Sequence, residues 1–284
     1  MTPAPPHDGA RLAHVDLLRG LAALAVCWFH FTNGNARFLP DGWLRQSGAY
    51  GWAGVDVFFV ISGFIIPFSM ARRGYVVRTD AWRFIARRIL RLDPPYFVTV
   101  LLMIVLARMS SLVPGFQGAP LDVSAAQVIA HVGYLNGFLG LPWLSPVFWS
   151  LAIEFQFYLV VALAFPLIAH DRARLWLASL ALWALLALWP SSSLLVVHYG
   201  GLFACGFACF LLRSGRLGTG AFCAVLAVMA GATWWTFGPV AAGVAAATAC
   251  VIAWGSSTAA IGTGLGQISY SLYLVHVPVG GRVV

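Results

Sequence analysis

A histidine stands inside an apolar run near the start of the chain. The run "AALAVCWFHF" (22–31) carries His30, and Arg19 lies eleven residues before it. At 3.6 residues per turn this spacing is about three turns, so both side chains project from nearly one helix face, about 16 Å apart. A neutral imidazole is a good general base near neutral pH. A helix-end arginine that reaches the interface and a hydrogen-bonded histidine are the structural alternatives.

Two carboxylates lie in other apolar runs. Asp56 follows "YGWAGV", about two turns into its run, and Glu154, the only glutamate, lies in "SPVFWSLAIEFQFYLV". A lone buried carboxylate is costly without a partner. We expect both near the depth of His30, where a carboxylate orients an imidazole and stabilises its charged form. For Asp56, pairing with an arginine or capping a half-helix is the alternative.

A pair of arginines lies in "WRFIARRILRLDPPY". Arg88 and Arg91 are three residues apart and are therefore neighbours on one helix face. Two guanidinium groups so placed make a clamp for phosphate, whereas plain anchoring at the membrane surface is the alternative. We expect Arg87 to point elsewhere, towards lipid head groups, and Asp93-Pro94-Pro95 to interrupt the helix.

Other candidate groups carry weaker signals. His276 lies high in the last apolar run, where a structural hydrogen bond is the favoured interpretation. His131 and His198 lack the spacing of a metal site, and we expect no metal. The segment "GTGLG" (262–266) resembles a phosphate loop only weakly, because it lacks the lysine and the strand–helix setting.

The elements that must position these groups are membrane helices. The chain is 61% hydrophobic and 9% charged, whereas soluble domains carry about 25% charged residues. Runs of about 20 apolar residues span a bilayer. We predict an all-α polytopic membrane protein with about nine transmembrane helices, at 15–33, 50–70, 93–109, 147–169, 175–189, 194–212, 219–237, 239–255 and 263–280. The run 124–141 is shorter and polar, which is typical of an amphipathic or re-entrant segment.

The basic residues predict an orientation. All 17 are arginine, and the net charge is +8. Cytoplasmic loops of membrane proteins collect positive charge, so we interpret this charge as a sign of orientation and expect no nucleic-acid partner. The loop after the second span is then cytoplasmic, as is the N-terminus. The arginines of that loop are Arg72, Arg73, Arg78, Arg83, Arg87, Arg88 and Arg91.

Five segments in this order resemble the integral-membrane acyltransferase-3 family. They are "LLRGLAALAVCWFHF", "GWAGVDVFFVISGFII", "FIARRILRLDPPYF", "VFWSLAIEFQFYLV" and "LGQISYSLYLVHVPV". The resemblance covers most of the chain. The family includes acetylases of O-antigen, exopolysaccharide, peptidoglycan and antibiotic sugars.

The resemblance implies a function and a fold. It implies about ten helices in the inner membrane of a bacterium, both termini inside. It also implies transfer of an acyl group, usually acetyl, from cytoplasmic acyl-CoA to a hydroxyl of a carbohydrate or glycolipid acceptor, among membrane lipids. The family continues past "SYSLYLVHVPV" with another helix, so we expect residues 1–284 to form a single domain that lacks this last helix.

The resemblance also implies roles for individual residues. By this likeness the histidine of the first span is the catalytic base and the arginine before it an essential companion. The R-x-x-R pair holds the acyl donor, and two acidic positions have less defined roles. The matching residues are His30, Arg19, Arg88, Arg91, Asp56 and Glu154.

A transporter for a small solute, including a proton-coupled one, is the main alternative. Buried Arg, His, Asp and Glu residues also mark ion and proton pathways. The chain lacks a detectable inverted repeat, and its approach to the third span is dense in arginine, which favours the enzyme. A purely structural scaffold explains the apolar mass but leaves the placement of the ionisable groups unexplained.

Overall fold

The structure, a computed structural model, describes residues 12–34, 39–113, 123–170, 172–256 and 260–280. These residues are mostly α-helical, and no strand occurs among them. The helices are α1 (Ala13–Asn33), α2 (Trp43–Ser47), α3 (Gly54–Arg72), α4 (Val77–Ser111), α5 (Ala125–Val132), α6 (Phe148–Ile168), α7 (Ala173–Leu188), α8 (Gly200–Arg213), α9 (Thr219–Phe237), α10 (Pro239–Trp254) and α11 (Ala260–Val275). A π-helical turn, His276–Gly280, follows α11 directly.

The predicted all-α polytopic membrane fold is confirmed. Six helical segments among the described residues are long and apolar enough to cross a bilayer: Ala13–Asn33, Trp43–Arg72, Val77–Ser111, Phe148–Ile168, Val196–Arg213 and Thr219–Phe237. Helices α7 and α10 are apolar but shorter. The run 124–141 contains only the eight-residue helix α5, which agrees with its exclusion from the predicted spans.

The prediction that residues 93–95 interrupt a helix is wrong. Helix α4 runs unbroken for 35 residues with both prolines inside it. Neighbouring segments contact the helix beside the prolines: the Tyr270 hydroxyl donates to the Leu92 carbonyl at 2.7 Å, and the Tyr134 hydroxyl donates to the Asp93 side-chain carboxylate at 2.9 Å. Membrane helices tolerate proline where neighbouring helices pack against them at that point.

Helices α3 and α8 cross at the centre of the bundle through glycines. A Cβ atom on Gly63 would lie 2.1 Å from the Phe203 carbonyl oxygen, and one on Gly206 would lie 1.9 Å from that of Val60. No side chain fits at such distances, so only glycine allows the two backbones to approach this closely.

Helices α1 and α11 also pack through small residues. A Cβ atom on Gly20 would lie 2.5 Å from Leu265 Cβ, and one on Gly266 would lie 2.5 Å from Asp16 Cβ. The glycine-rich run 262–266 is therefore part of a helix that packs against another helix. Since α1 and α11 pack side by side, His30, late in α1, meets His276, the first residue after α11.

Candidate active site

A cavity of about 1000 Å³ lies between α1, α3, α4, α6 and α11. Its lining includes the side chains of five arginines: Arg19, Arg73, Arg87, Arg88 and Arg91. We call this region the arginine end. Three of the five, at positions 73, 87 and 91, are exposed, so the charged groups gather where the cavity opens.

Arg87 lines the cavity beside the predicted pair, and the prediction that it points elsewhere is wrong. Successive residues of a helix are about 100° apart, so positions 87, 88 and 91 fall within an arc of about 100°. Arg87 and Arg91 are also four residues apart and are therefore neighbours on the helix surface. One face of α4 thus presents three guanidinium groups.

Arg88 is held by two aromatic rings. Its guanidinium carbon lies 5.2 Å from the centre of the Phe84 ring and 5.2 Å from that of Tyr158. Both distances are within cation–π range. Among the described residues, no carboxylate forms an ion pair with Arg73, Arg87, Arg88 or Arg91. Four cations at the arginine end are therefore available to an anionic ligand.

Glu154 lies in the same cavity, close to Arg88. It accepts a hydrogen bond from the Ser62 hydroxyl at 3.0 Å and a short one from the Tyr158 hydroxyl. The carboxylate thus holds the aromatic ring against which Arg88 packs. Glu154 supports the arginine end, and the structure does not bring it into contact with His30.

The two histidines meet at the other end of α1. His30 Nδ1 lies 2.9 Å from the Val26 carbonyl oxygen and 3.2 Å from His276 Nε2. His276 Nδ1 lies 3.2 Å from the Leu272 carbonyl oxygen. We call this pair the histidine end. Neither histidine lines the cavity.

Three side chains that contact one another line the cavity on the side of the histidine end, and we call them the barrier layer: Phe58, Ser150 and Tyr273. All three line the cavity. The Tyr273 hydroxyl lies 2.6 Å from Ser150 Oγ, and the Phe58 and Tyr273 rings are 5.5 Å apart. On its other side, the Tyr273 ring faces His276, and the centres of the two rings are 6.0 Å apart. Tyr273 therefore adjoins both the cavity and the histidine end.

The remaining predicted site residues differ in their surroundings. Arg19 lines the cavity, and its Nη1 lies 3.9 Å from the Asp16 carboxylate. Asp56 is buried, its Oδ2 has no hydrogen-bond partner, and no ion pair joins it to an arginine or to His30 among the described residues. The structure thus groups Arg19, Glu154 and the α4 arginines, and leaves Asp56 outside the cavity lining.

The structural hydrogen bond expected for His276 is present, to the Leu272 carbonyl. Its pairing with His30 is not predicted by the sequence. The two residues are 246 positions apart, and no local pattern connects them. The one available signal was depth, since each histidine lies towards the same end of its apolar run.

His131 is packed into the polar segment around α5. Its Nδ1 lies 2.7 Å from the Gln127 carbonyl oxygen, and the Leu144 amide donates to its Nε2 at 3.4 Å. Burial lowers the pKa of His131, although the Gln127 hydrogen bond raises it in part. The hydrogen bonds to Gln127 and Leu144 occupy both ring nitrogens of His131. In the described part of the chain, no three His, Cys, Asp or Glu side chains cluster as a metal site would need.

Comparison with known proteins gives one family. The family described as "Acyltransferase domain" matches residues 12–281. BcsY of Komagataeibacter xylinus, which is named as a membrane-bound transacylase, is 34% identical over 57% of this chain and 40% of its own length. The O-acetyltransferase OatA of Staphylococcus aureus is 31% identical over 56% of this chain and 25% of its own length.

The peptidoglycan O-acetyltransferase OatA of Listeria monocytogenes is 31% identical over 51% of this chain and 23% of its own length. In each comparison the alignment with this chain spans two fifths or less of the relative. No solved structure matches this chain significantly.

Proposed function

This chain belongs to the acyltransferase family that matches residues 12–281, and from that premise we propose that it is an O-acyltransferase. We propose acyl-CoA, in the first place acetyl-CoA, as the donor and a hydroxyl of a carbohydrate or glycolipid as the acceptor. The observation that carries this proposal is the cavity, which leads from a group of guanidiniums to a layer that adjoins a histidine pair.

The arginine end suits the nucleotide part of the donor. Coenzyme A carries a diphosphate and a further phosphate, and guanidinium groups bind phosphate oxygens through paired, charge-assisted hydrogen bonds. Arg88 is pre-oriented by its two rings, and Arg91 lies one turn further along α4. We assign both to the phosphates, in the inner membrane of a bacterium with this end facing the cytoplasm.

The acyl end of the donor then extends along the cavity past Arg19 towards the barrier layer. Tyr273 and Phe58 must move apart for the thioester to reach His30. The acceptor hydroxyl approaches from the opposite side of the membrane. His30 is therefore proposed to lie where the two substrates meet.

The chemical step follows from a neutral His30. Its Nε2 takes the proton of the acceptor hydroxyl while the hydroxyl oxygen bonds to the thioester carbonyl carbon. The carbon–sulfur bond breaks, and the departing thiolate takes the proton back from Nε2. The products are the acyl ester and free coenzyme A, and His30 returns to its neutral form.

An acyl-histidine relay is the second route, since an imidazole is also a nucleophile. In this route His30 first attacks the thioester, and the acceptor then takes the acyl group from the ring. Rapid quenching after addition of radiolabelled acetyl-CoA separates the two routes, because only the relay leaves label on the protein in the absence of acceptor.

The proposal is tested with the purified protein in liposomes. Radiolabelled acetyl-CoA is added with peptidoglycan fragments and other oligosaccharides, and both labelled product and free thiol are measured. We expect release of thiol that depends on the acceptor and matches the ester formed. The same liposomes with added solutes test the transporter alternative. Solute flux without any release of thiol, for every acceptor, would contradict the proposal.

A further inference from the structure

We propose that His276 is a positioning residue that fixes the tautomer of His30. The inference deepens the proposed function and rests on it, because it concerns the base of that reaction. His276 holds the proton of His30 on Nδ1, so that the lone pair stands on Nε2.

The tautomer of His276 follows from its neighbours. Its Nδ1 lies 3.2 Å from the carbonyl oxygen of Leu272. A carbonyl oxygen only accepts hydrogen bonds, so Nδ1 carries the proton. In a neutral ring the other nitrogen then has a lone pair. His276 Nε2, which faces His30, is therefore an acceptor.

The tautomer of His30 follows in turn. Its Nδ1 faces two acceptors, the Val26 carbonyl oxygen at 2.9 Å and His276 Nε2 at 3.2 Å. A nitrogen between two acceptors must be the donor, and its hydrogen is shared in a three-centre bond. The lone pair of the neutral ring is then on Nε2, for which the described residues provide no hydrogen-bond partner. This atom is free to take a proton from a substrate.

Packing holds the pair in this geometry. The glycine contacts between α1 and α11 fix the register of the two helices. The π-helical turn His276–Gly280 packs closely on α1, because a Cβ atom on Gly280 would lie 2.1 Å from the Phe31 ring. The Phe31 and His276 rings are 6.2 Å apart. Small shifts of α11 would therefore separate the two imidazoles.

No carboxylate contacts either imidazole in the described ranges. The tautomer of His30 is thus set by neutral acceptors. The sequence analysis instead expects a carboxylate to orient this imidazole. When Nε2 of His30 takes a proton, Nδ1 keeps its own and the same two acceptors remain in place. The imidazolium therefore forms without rearrangement of its partners.

Two variants of similar size test the proposal. His276→Gln retains an oxygen that accepts from His30 Nδ1, whereas His276→Met has no comparable acceptor. Losing a hydrogen bond to a charged group lowers a rate constant about 10- to 100-fold. We expect this fall in kcat for His276→Met, with KM for acyl-CoA unchanged, and kcat within about threefold of wild type for His276→Gln.

The control is His170→Gln, because His170 is exposed and bonds only the backbone of Arg172 among the described residues. It should leave kcat unchanged. Equal kcat values for His276→Gln and His276→Met, both folded by size exclusion and thermal melting, would overturn the proposal.

A measurement without turnover separates this inference from the proposed function. ¹⁵N spectra of the wild-type protein with labelled histidine, with the His30 signals identified from His30→Gln, report which ring nitrogen carries the proton. We expect the proton on Nδ1 of His30, and a mixture of tautomers in His276→Met. A proton on Nε2 in the wild type would overturn the inference, even for an active enzyme. A wild-type protein with the expected spectrum and no acyl transfer would refute only the proposed function.

Discussion

The arginine end and the histidine end lie at opposite ends of α1 and are built in different ways. The arginine end is open, and its exposed guanidinium groups stand without ion pairs among the described residues. The histidine end consists of two imidazoles held by backbone carbonyls and surrounded by aromatic rings. Charge is concentrated at one end, and neutral hydrogen bonding at the other.

In the proposed function, this difference separates donor binding from chemistry. Guanidinium groups at a wet opening keep their hydration while the site is empty, which avoids the desolvation cost of buried charge. A general base must be neutral to accept a proton, and an apolar setting disfavours the charged form of an imidazole. The barrier layer lines the cavity and adjoins the histidine pair through Tyr273. Substitutions at each end should therefore change different kinetic constants.

The largest effect is expected at the histidine end. His30→Gln removes the base, and a general base contributes about 10²- to 10⁴-fold to a rate. We expect kcat to fall by this factor while KM for acyl-CoA stays within about twofold, since the arginine end is unchanged. Steady-state kinetics in liposomes, with His170→Gln as the matched control, measure both constants. A kcat equal to that of the wild type would remove His30 from the mechanism.

The second effect belongs to the arginine end. Replacing Arg88 and Arg91 together by Gln removes the charge-assisted contact of half-buried Arg88, worth about 1.5–3 kcal/mol, and that of exposed Arg91, worth about 0.2–1 kcal/mol, so KM for acyl-CoA should rise about 20- to 900-fold. We expect kcat at saturating donor to be little changed.

Arg108→Gln is the matched control for this pair, because Arg108 lies on the same helix and does not line the cavity. If the double variant raised KM no more than Arg108→Gln does, the pair would serve only to anchor the helix. A fall in kcat alone would contradict the division of labour between the two ends.

The barrier layer should control the length of the acyl group. Phe58→Ala removes the phenyl ring from the barrier layer and so lengthens the cavity on the side of the histidine end. Discrimination of one methylene in an apolar pocket is worth about tenfold or more. We expect kcat/KM for butyryl-CoA relative to acetyl-CoA to rise about tenfold. Phe68→Ala, on the same helix but outside the cavity lining, should leave this ratio unchanged. The same ratio in both variants would show that the acyl group does not reach this layer.

The smallest effect is expected at the exposed rim of the arginine end. Exposed charges contribute about 0.2–1 kcal/mol, and salt screens them. Arg73→Gln should therefore raise KM for acyl-CoA only about two- to fivefold at low salt, and less at high salt. Arg78→Gln, outside the cavity lining, is the control. An effect of Arg73→Gln that persists at high salt would indicate a direct, desolvated contact instead.

Much of the fold could be predicted from apolar runs, because a membrane helix is defined by the length and polarity of its own residues. The window 219–237 coincides with α9, and 147–169 differs from α6 by one residue at each end. The failure at α4 has a tertiary cause. Proline disfavours a helix locally, but Tyr270 and Tyr134, from distant parts of the chain, hold Leu92 and Asp93 beside the prolines, and no local pattern predicts those contacts.

The site could be predicted only in part. The spacing of Arg88 and Arg91 on one helix predicts that they act together, and they share a cavity. The partner of His30 could not be predicted, because it depends on the register between the first and last helices. That register follows from glycine contacts at Gly20 and Gly266, which connect distant parts of the chain. Composition likewise gave no sign that Asp56 would remain apart from His30.

The central claim, that a donor held at the arginine end delivers its acyl carbon to His30, can be tested by alkylation. Bromoacetyl-CoA carries an electrophilic carbon next to its thioester carbonyl, and mass spectrometry locates the residue that it modifies. We predict modification of His30, protection by free coenzyme A, and little labelling in the Arg88→Gln/Arg91→Gln variant. Label found only on other residues, with His30 unmodified in an active protein, would contradict the account.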